Sequence, residues 1–404
     1  MKKGQLLLAL FFVFSYAFGQ GTWTRKADFS GLGRDYATGF SIGSKAYIGT
    51  GRINFYNESK DFWEWNSNTN TWAQKADFGG GPRMDAIGFS IGNKGYIGTG
   101  AYGPMYFNDL WEYDPLTNTW SQKAAFPGLP RRGAFGFSLG TKGYIGIGGG
   151  GINVYQDVWE WDQMSNSWNQ VQSFPGLSRY NPATFTTGNK AYVCCGDANN
   201  NGYCNELWEW DQLTGNWIQK TSLPDTVRDG ASGFSVGNYG YIVGGIGNYE
   251  FRDVWYWNPT TDTWSQLFDF PGGAKVYAVS FSIGGKGYIG TGVGNSVNQF
   301  VDFWEFDPFL EPTSVNSLYT EANLTVFPNP GSGIVNLNFS SSEQNHSLAL
   351  RISNSIGQCV YKETVNDVCF PYCRQLDLTN LPKGIYFVEV LSGKEREVKK
   401  LVLQ

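Results

Sequence analysis

Histidine is almost missing from this chain: among 404 residues there is one, His346, near the C-terminal end. Everything before it therefore has no Ser-His-Asp or Cys-His relay and no His-bound metal. Charge of one sign is not in excess either. Lys and Arg number 30 against 35 Asp and Glu, a net charge of −5, which leaves no footprint for nucleic acid. The apolar run from Leu6 to Val13 is too short to cross a bilayer and no other run is longer, so no transmembrane helix is expected. Helical periodicity is absent from residues 21 to 308.

Aromatics are abundant, at 17% of residues, and they repeat. Six segments have an acid, an apolar residue, a Trp and a second aromatic two places on: DFWEW from Asp61, DLWEY from Asp109, DVWEW from Asp157, ELWEW from Glu206, DVWYW from Asp253 and DFWEF from Asp302. Five are followed by a further Trp (72, 120, 168, 217, 264), and a matching Trp23 stands ahead of the first segment. The period is about 48 residues, which marks an array of supersecondary units.

Within each unit a basic residue comes first: Arg34, Arg83, Arg131, Arg179, Arg228 and Lys275. A Phe-bearing segment such as GFSIG follows, then a Tyr-led segment such as YIGTG, a loop, the DxWE segment, a turn and the TW segment. These are four short β runs bounded by Gly, Asn, Asp and Pro. Four strands per unit make a propeller blade. The glycines suit crowded inner strands, and Trp and Tyr fill the wide gaps between blades.

The repeat resembles the kelch family in its leading base, its Gly after Tyr-hydrophobic, the YDPLTNTW turn at 113–120 and its closing Trp. Most units depart from it in having Gly-x-Gly for Gly-Gly, and the fourth has Cys194-Cys195. The fold expected is all-β: a six-bladed kelch-type propeller over residues 20–308, then a linker at 309–322 and a small Ig-like β-sandwich at 323–404. The sixth DxWE strand has no TW strand after it, so Thr22–Lys26 is expected to complete blade 6 and close the ring.

Residues 1–19 read as a signal peptide, with Lys2 and Lys3, the apolar run and an Ala17-Phe18-Gly19 cleavage site,. The tail resembles the type A sorting domain of the type IX secretion system in VFPNP (326–330), IVNLNF (334–339), LALRISNSIGQCVY (348–361), LDLTNLPKGIYFVEV (376–390) and KKLVLQ (399–404). That resemblance implies passage through the type IX machinery, to the medium or the outer surface of a Gram-negative cell.

Six cysteines in an exported chain are disulfide candidates: Cys194, Cys195 and Cys204 in unit 4, Cys359, Cys369 and Cys373 in the tail,. A bridge from Cys204 to Cys194 or Cys195 would close a short loop.

Kelch binding modules often place the residue matching Arg34, Arg83, Arg131, Arg179, Arg228 and Lys275 at the mouth, where it meets acidic ligands. The alternative is that each Arg ties a loop to its neighbour. The loops between second and third strands break the repeat and carry Tyr56, Tyr102, Tyr106, Tyr155, Tyr203, Tyr249 and Phe251, suited to a sugar or a protein, or to loop packing. The repeated Glu (64, 112, 160, 209, 305) sits at equivalent places and not paired across one bond, so it does not read as a glycosidase pair,. Asp197-Ala-Asn199-Asn-Asn201-Gly202 opens like an EF-hand loop, but Trp208 stands where the bidentate Glu belongs,.

The reading is a monomeric binding module for an extracellular glycan or protein, with no cofactor and no catalytic residue assigned. Its rivals are a metal-independent enzyme similar to the sialic-acid mutarotase, a kelch protein, and a structural surface or adhesion component. The missing histidines exclude a copper site of the galactose oxidase kind.

Overall fold

The computed structural model describes residues 21–308, apart from 225 and 295–297, and residues 323–404, apart from 341–346, 356, 367–371 and 393–394. The expected signal peptide, the linker, His346 and Cys369 lie outside the described residues. Contacts divide the chain into two units, 1–312 and 313–404.

The first unit has six four-stranded antiparallel sheets. In the first blade the strands are Thr38–Ile42, Lys45–Gly49, Phe62–Asn66 and Thr71–Lys75, ordered from the inside outward. Each inner strand packs on the next, and the sixth, Val279–Ile283, packs back on the first. The ring is sealed by the chain's own start: Thr22–Arg25 pairs with Phe303–Asp307, Trp23 facing Phe306 and Arg25 facing Trp304. The outer strand of blade 6 thus comes from the front of the chain, as its orphan TW segment predicts.

The gaps between blades are filled by aromatics. Trp65 and Trp161 are fully buried, Trp65 against Phe303 and Tyr288 of blade 6 and Trp161 against Tyr96 of blade 2. The outer-strand Trp also ties blades together. Trp72, Trp120 and Trp168 donate their indole N–H to Ala27, Ala76 and Ala124, about one blade back in the chain, at 2.9–3.1 Å, so a large apolar body also ends in a satisfied polar tip.

A further set of bonds runs around the ring. The backbone N–H of Gly51, Gly100, Gly148, Gly196, Gly245 and Gly292 donates to the carbonyl of Arg83, Arg131, Arg179, Arg228, Lys275 and Arg34, at 2.8–3.0 Å. Each bond reaches from one blade to the basic residue of the next, and the last returns to blade 1.

The second unit is a sandwich. A three-stranded sheet contains Asn323–Phe327, Ile334–Ser340 and Tyr372–Asp377; a four-stranded sheet contains Ser347–Asn354, Cys359–Asn366, Gly384–Ser392 and Glu395–Leu403. Alternation puts Leu348, Leu350 and Ile352 into one core with Val335, Leu337, Val388 and Leu401,. Among the described residues no helix is long and apolar enough to cross a membrane.

Candidate functional site

The repeated base is buried. Arg34, Arg83, Arg131, Arg179 and Arg228 have no exposed surface and Lys275 is 1% exposed. Each reaches the acid that opens the DxW segment of its own blade. Arg131 Nη1 and Nη2 meet Asp157 at 2.7 and 2.9 Å, and Nη1 also donates to the Ile147 carbonyl at 2.9 Å. Arg34 does the same with Asp61 at 2.5 and 2.8 Å, and Arg228 with Asp253 at 2.6 and 2.8 Å. Arg83 forks onto Asp109 at 2.6 and 2.9 Å, Arg179 pairs with Glu206, and Lys275 makes one contact with Asp302 at 2.5 Å.

The motif's acid has a second partner, the indole two residues on: Trp63, Trp111, Trp159, Trp255 and Trp304 donate to it at 2.7–2.9 Å. That shared carboxylate is the physical reason for D-x-W. Burial pushes the Asp61 carboxyl up, but Arg34, Ser59 and Trp63 outweigh it and hold the group below its usual range,.

Several loop aromatics cover these cations. Phe107 lies over Arg83 at 4.1 Å, Tyr155 over Arg131 at 4.5 Å, Phe251 over Arg228 at 4.1 Å and Phe300 over Lys275 at 4.0 Å. The expectation of a basic mouth is therefore corrected. The six bases lie buried in the blade walls and present no charge to a ligand, because each is paired with its blade's own carboxylate, bidentate for Arg34, Arg83, Arg131 and Arg228, and a loop aromatic covers Arg83, Arg131, Arg228 and Lys275,. Tyr155 and Phe251 belong to those lids. Tyr56 is 87% exposed and Tyr249 62%, Tyr102 is exposed at the end of the Ala101–Tyr102 strand, and Tyr106 is half-buried. Tyr203 is the loop aromatic placed beside the carboxyls of Asp197 and Asp229.

The axis is lined by residues the repeat had hidden. Two positions after each base stand Tyr36, Asp85, Gly133, Asn181, Gly230 and Tyr277, all with left-handed backbone, φ between 47° and 61°. They line one end of the central channel. Above them opens a cavity of about 470 Å³ that adds Arg132, Tyr180 and Asp197 to this ring. The ring fits together by size. A side chain at Gly133 would strike Asn181 and Tyr180, and one at Gly230 would strike Tyr277, so small residues make room for large ones.

Tyr277 stacks on Tyr36, centroids 3.9 Å apart, and donates its hydroxyl to Asp229 Oδ2 at 2.6 Å. Arg52 covers the Tyr36 ring at 5.0 Å and forks onto Asp35 at 3.1 and 2.6 Å. Arg132 stands 3.5 Å from Asp85. Asp229 is buried, and Asp85 is half-buried as a residue with its side chain 4% exposed. Burial, opposed by the Arg132 charge and reinforced by Asp229 and Asp35, pushes the Asp85 carboxyl up to about 7. Burial, reinforced by Asp197 and opposed by hydrogen bonds from the Tyr277 hydroxyl, the Gly230 N–H and the Asn181 side chain, brings Asp229 to about 7 as well. Asp229 Oδ1 is buried and makes no hydrogen bond of full geometry.

The other candidates resolve structurally. Glu64, Glu112, Glu160, Glu209 and Glu305 each accept a hydrogen bond from the blade's own Tyr, at 2.6–3.0 Å. Asp197 closes a turn by accepting from the Asn199 N–H at 2.8 Å, and among the described residues no group of three His, Cys, Asp or Glu is placed to hold a metal. Cys194, Cys195 and Cys204 are free, which corrects the expected bridge. Cys194 lies in the core and the Cys195 carbonyl accepts from Arg179 at 3.1 Å. Cys204 occupies the place that Phe107 and Tyr155 hold in other blades, its N–H on Gly196 as theirs are on Gly100 and Gly148. In the second unit Cys359 is free and exposed, and the Cys373 side chain lies outside the described residues.

Comparison with known proteins agrees with this architecture. Residues 325–404 match the Secretion system C-terminal sorting domain, and residues 228–267 match the Kelch motif. A solved structure of YjhT superposes with a TM-score of 0.62 at 17% identity, covering 69% of this chain and 95% of that one, a likeness of fold. No curated protein matches.

Proposed function

We propose that this kelch-type propeller, exported by way of its C-terminal sorting domain, binds an extracellular glycan at the axial mouth. One observation carries the reading: in a repeat whose scaffold residues recur blade after blade, the six equivalent axial positions hold Tyr36, Asp85, Gly133, Asn181, Gly230 and Tyr277. A scaffold role would repeat with the scaffold. Left-handed backbone costs a non-glycine residue roughly 1–2 kcal/mol, and blades 3 and 5 show that glycine serves there. Left-handed backbone also occurs at the repeating scaffold position of Thr50, Thr99, Ile147, Cys195 and Thr291, so what singles out the ring is that costly aromatic and acidic residues stand there without repeating.

The mouth's chemistry favours a sugar. Its volume is that of a small-ligand site. Its lining offers amide, hydroxyl and carboxyl groups more than apolar surface. A glycan-array screen of the secreted protein beside its Asn181→Ala variant tests this. Binding by the wild type that the variant loses supports the mouth. Equal binding by both moves the site to the loop tips around Tyr56 and Tyr249.

The enzyme reading has one observation in its favour, the two mouth carboxyls near pH 7, which suit proton transfer. A mutarotation assay on N-acetylneuraminic acid decides it, and no rate above the buffer's would exclude it for that sugar.

A further inference from the structure

Charge in the mouth is unequally matched. Asp35 is fully engaged, with two bonds from Arg52 and one from Gln299 at 2.9 Å. Asp85 has the looser Arg132 contact at 3.5 Å. Asp197 and Asp229 have no cationic partner among the residues lining the cavity, which include no lysine and one arginine, Arg132. Asp229 is 3% exposed, its Oδ2 takes the Tyr277 hydroxyl, and its Oδ1 makes no hydrogen bond of full geometry, with the Gly230 N–H and the Asn181 side chain giving the carboxyl only weaker support. A buried carboxylate oxygen without a well-formed donor is costly, and here Asp229 borders an open cavity and not a sealed core.

The stacked tyrosines do not offer a free face to a sugar. Tyr36 lies between Arg52 and Tyr277, and Tyr277 lies between Tyr36 and the bare surface of Gly230. A ligand must then be held by its polar groups. A metal ion does not fit, because among the described residues no set of three suitable ligands converges. A group with several N–H donors and one positive charge does. It can meet Asp229 Oδ1 and still have donors for neutral acceptors such as the Asn181 side chain.

We propose that the mouth takes a ligand bearing a primary ammonium group, an amino sugar, seated with its ammonium against Asp229. This rests on the glycan reading above and narrows it. Burial and neighbouring acids already hold the Asp229 carboxyl near pH 7, so a bound cation replaces a proton and not a salt bridge.

The test is calorimetric titration of the mature secreted protein at pH 6.5 with β-1,4-linked glucosamine trimer and, separately, with its fully N-acetylated counterpart. The glucosamine trimer is expected to bind at least ~10-fold more tightly, a factor worth about 1.4 kcal/mol. Asp229→Asn is expected to abolish that preference. Raising salt from about 0.05 to about 0.5 M is expected to weaken the glucosamine trimer alone, by screening; this readout uses the wild type and does not depend on the variant folding. Equal affinity for the two trimers, or an undiminished preference in Asp229→Asn, overturns the ammonium assignment and leaves a glycan-binding mouth standing. Failure of both trimers while tri-lysine binds also overturns it, in favour of a peptide ligand. Failure of every glycan on the array removes the parent reading as well.

Discussion

Arg131 and Asp157 face each other across 2.7 and 2.9 Å inside the wall of blade 3, with the Tyr155 ring closing the solvent side. The same pair recurs in every blade with local substitutions. Removing one partner of a buried pair strands the other's charge. Arg131→Ala is therefore expected to lower unfolding stability by about 3–5 kcal/mol, read from urea denaturation. Arg131→Lys is expected to lose less, because blade 6 already works with Lys275. A loss within ~0.5 kcal/mol for Arg131→Ala would mean that the pair does not hold the blade.

Ring closure through the first strand gives a second expectation. Trp23 packs on Phe270 at 4.8 Å and Phe306 at 4.9 Å, so it contacts blades 5 and 6 together. Trp23→Ala is expected to cost about 2–4 kcal/mol, somewhat below the range for a fully buried Trp because Trp23 is half-buried,. Deleting residues 20–28 is expected to lower the thermal midpoint further. An unchanged midpoint in the deletion would contradict the closure.

The blade count, the strand order and the closure are legible in the repeat, because each rests on residues that recur. The alternation of Leu348, Leu350 and Ile352 makes the second core legible in the same way. The site is not. Recurrence points to Arg34 and its five equivalents, but a residue that recurs in all blades answers to the scaffold. Asp61 lies 27 residues beyond Arg34 in the chain, and nothing in the spacing says that the two meet. The signal that is present is the opposite of a motif: at a fixed offset of two from each base, Tyr36, Asp85, Gly133, Asn181, Gly230 and Tyr277 fail to repeat. Their left-handed backbone, which marks the position as strained, is visible only in the fold.

Stability should depend on pH in two limbs. Asp61 is held below its ordinary value, so its contribution is present above about pH 4 and is lost as acid protonates it in the folded state. Asp85 and Asp229 are raised to about 7. Their contribution is full below the unfolded value near ~4 and falls as pH rises through 7. The fall is about 1.4 kcal/mol for every tenfold difference in proton affinity between the folded and unfolded chain. The titratable and charged groups that face them are Asp35, Asp197, Arg52, Arg132, Tyr36, Tyr203 and Tyr277. Thermal midpoints are expected to be highest near about pH 4–5 and to fall from there toward pH 7. Asp85→Gly should raise the midpoint at pH 8, since it removes both a buried charge and a left-handed non-glycine residue. A midpoint for Asp85→Gly below wild type at pH 8 would count against this account of the mouth.

Export is expected to depend on the second unit, whose residues 325–404 match the secretion sorting domain. Removing residues 324–404 is expected to leave the propeller folded in the periplasm, detected by fractionation and immunoblot. Appearance of the truncated chain in the medium at wild-type level would show that the sorting domain matched at 325–404 is not what carries it out.

The division between a structural ring of bases and a functional ring of non-repeating residues is tested most directly by two variants measured side by side on one glycan found in the array screen. Titration of Arg131→Ala and Asn181→Ala, each with its thermal midpoint, separates the roles. The expected result is a lowered midpoint with unchanged affinity per folded molecule for Arg131→Ala, and an unchanged midpoint with affinity reduced at least ~10-fold for Asn181→Ala. The reverse pattern, with binding lost in a stable Arg131→Ala and retained in Asn181→Ala, would contradict the account and return the bases to the binding site.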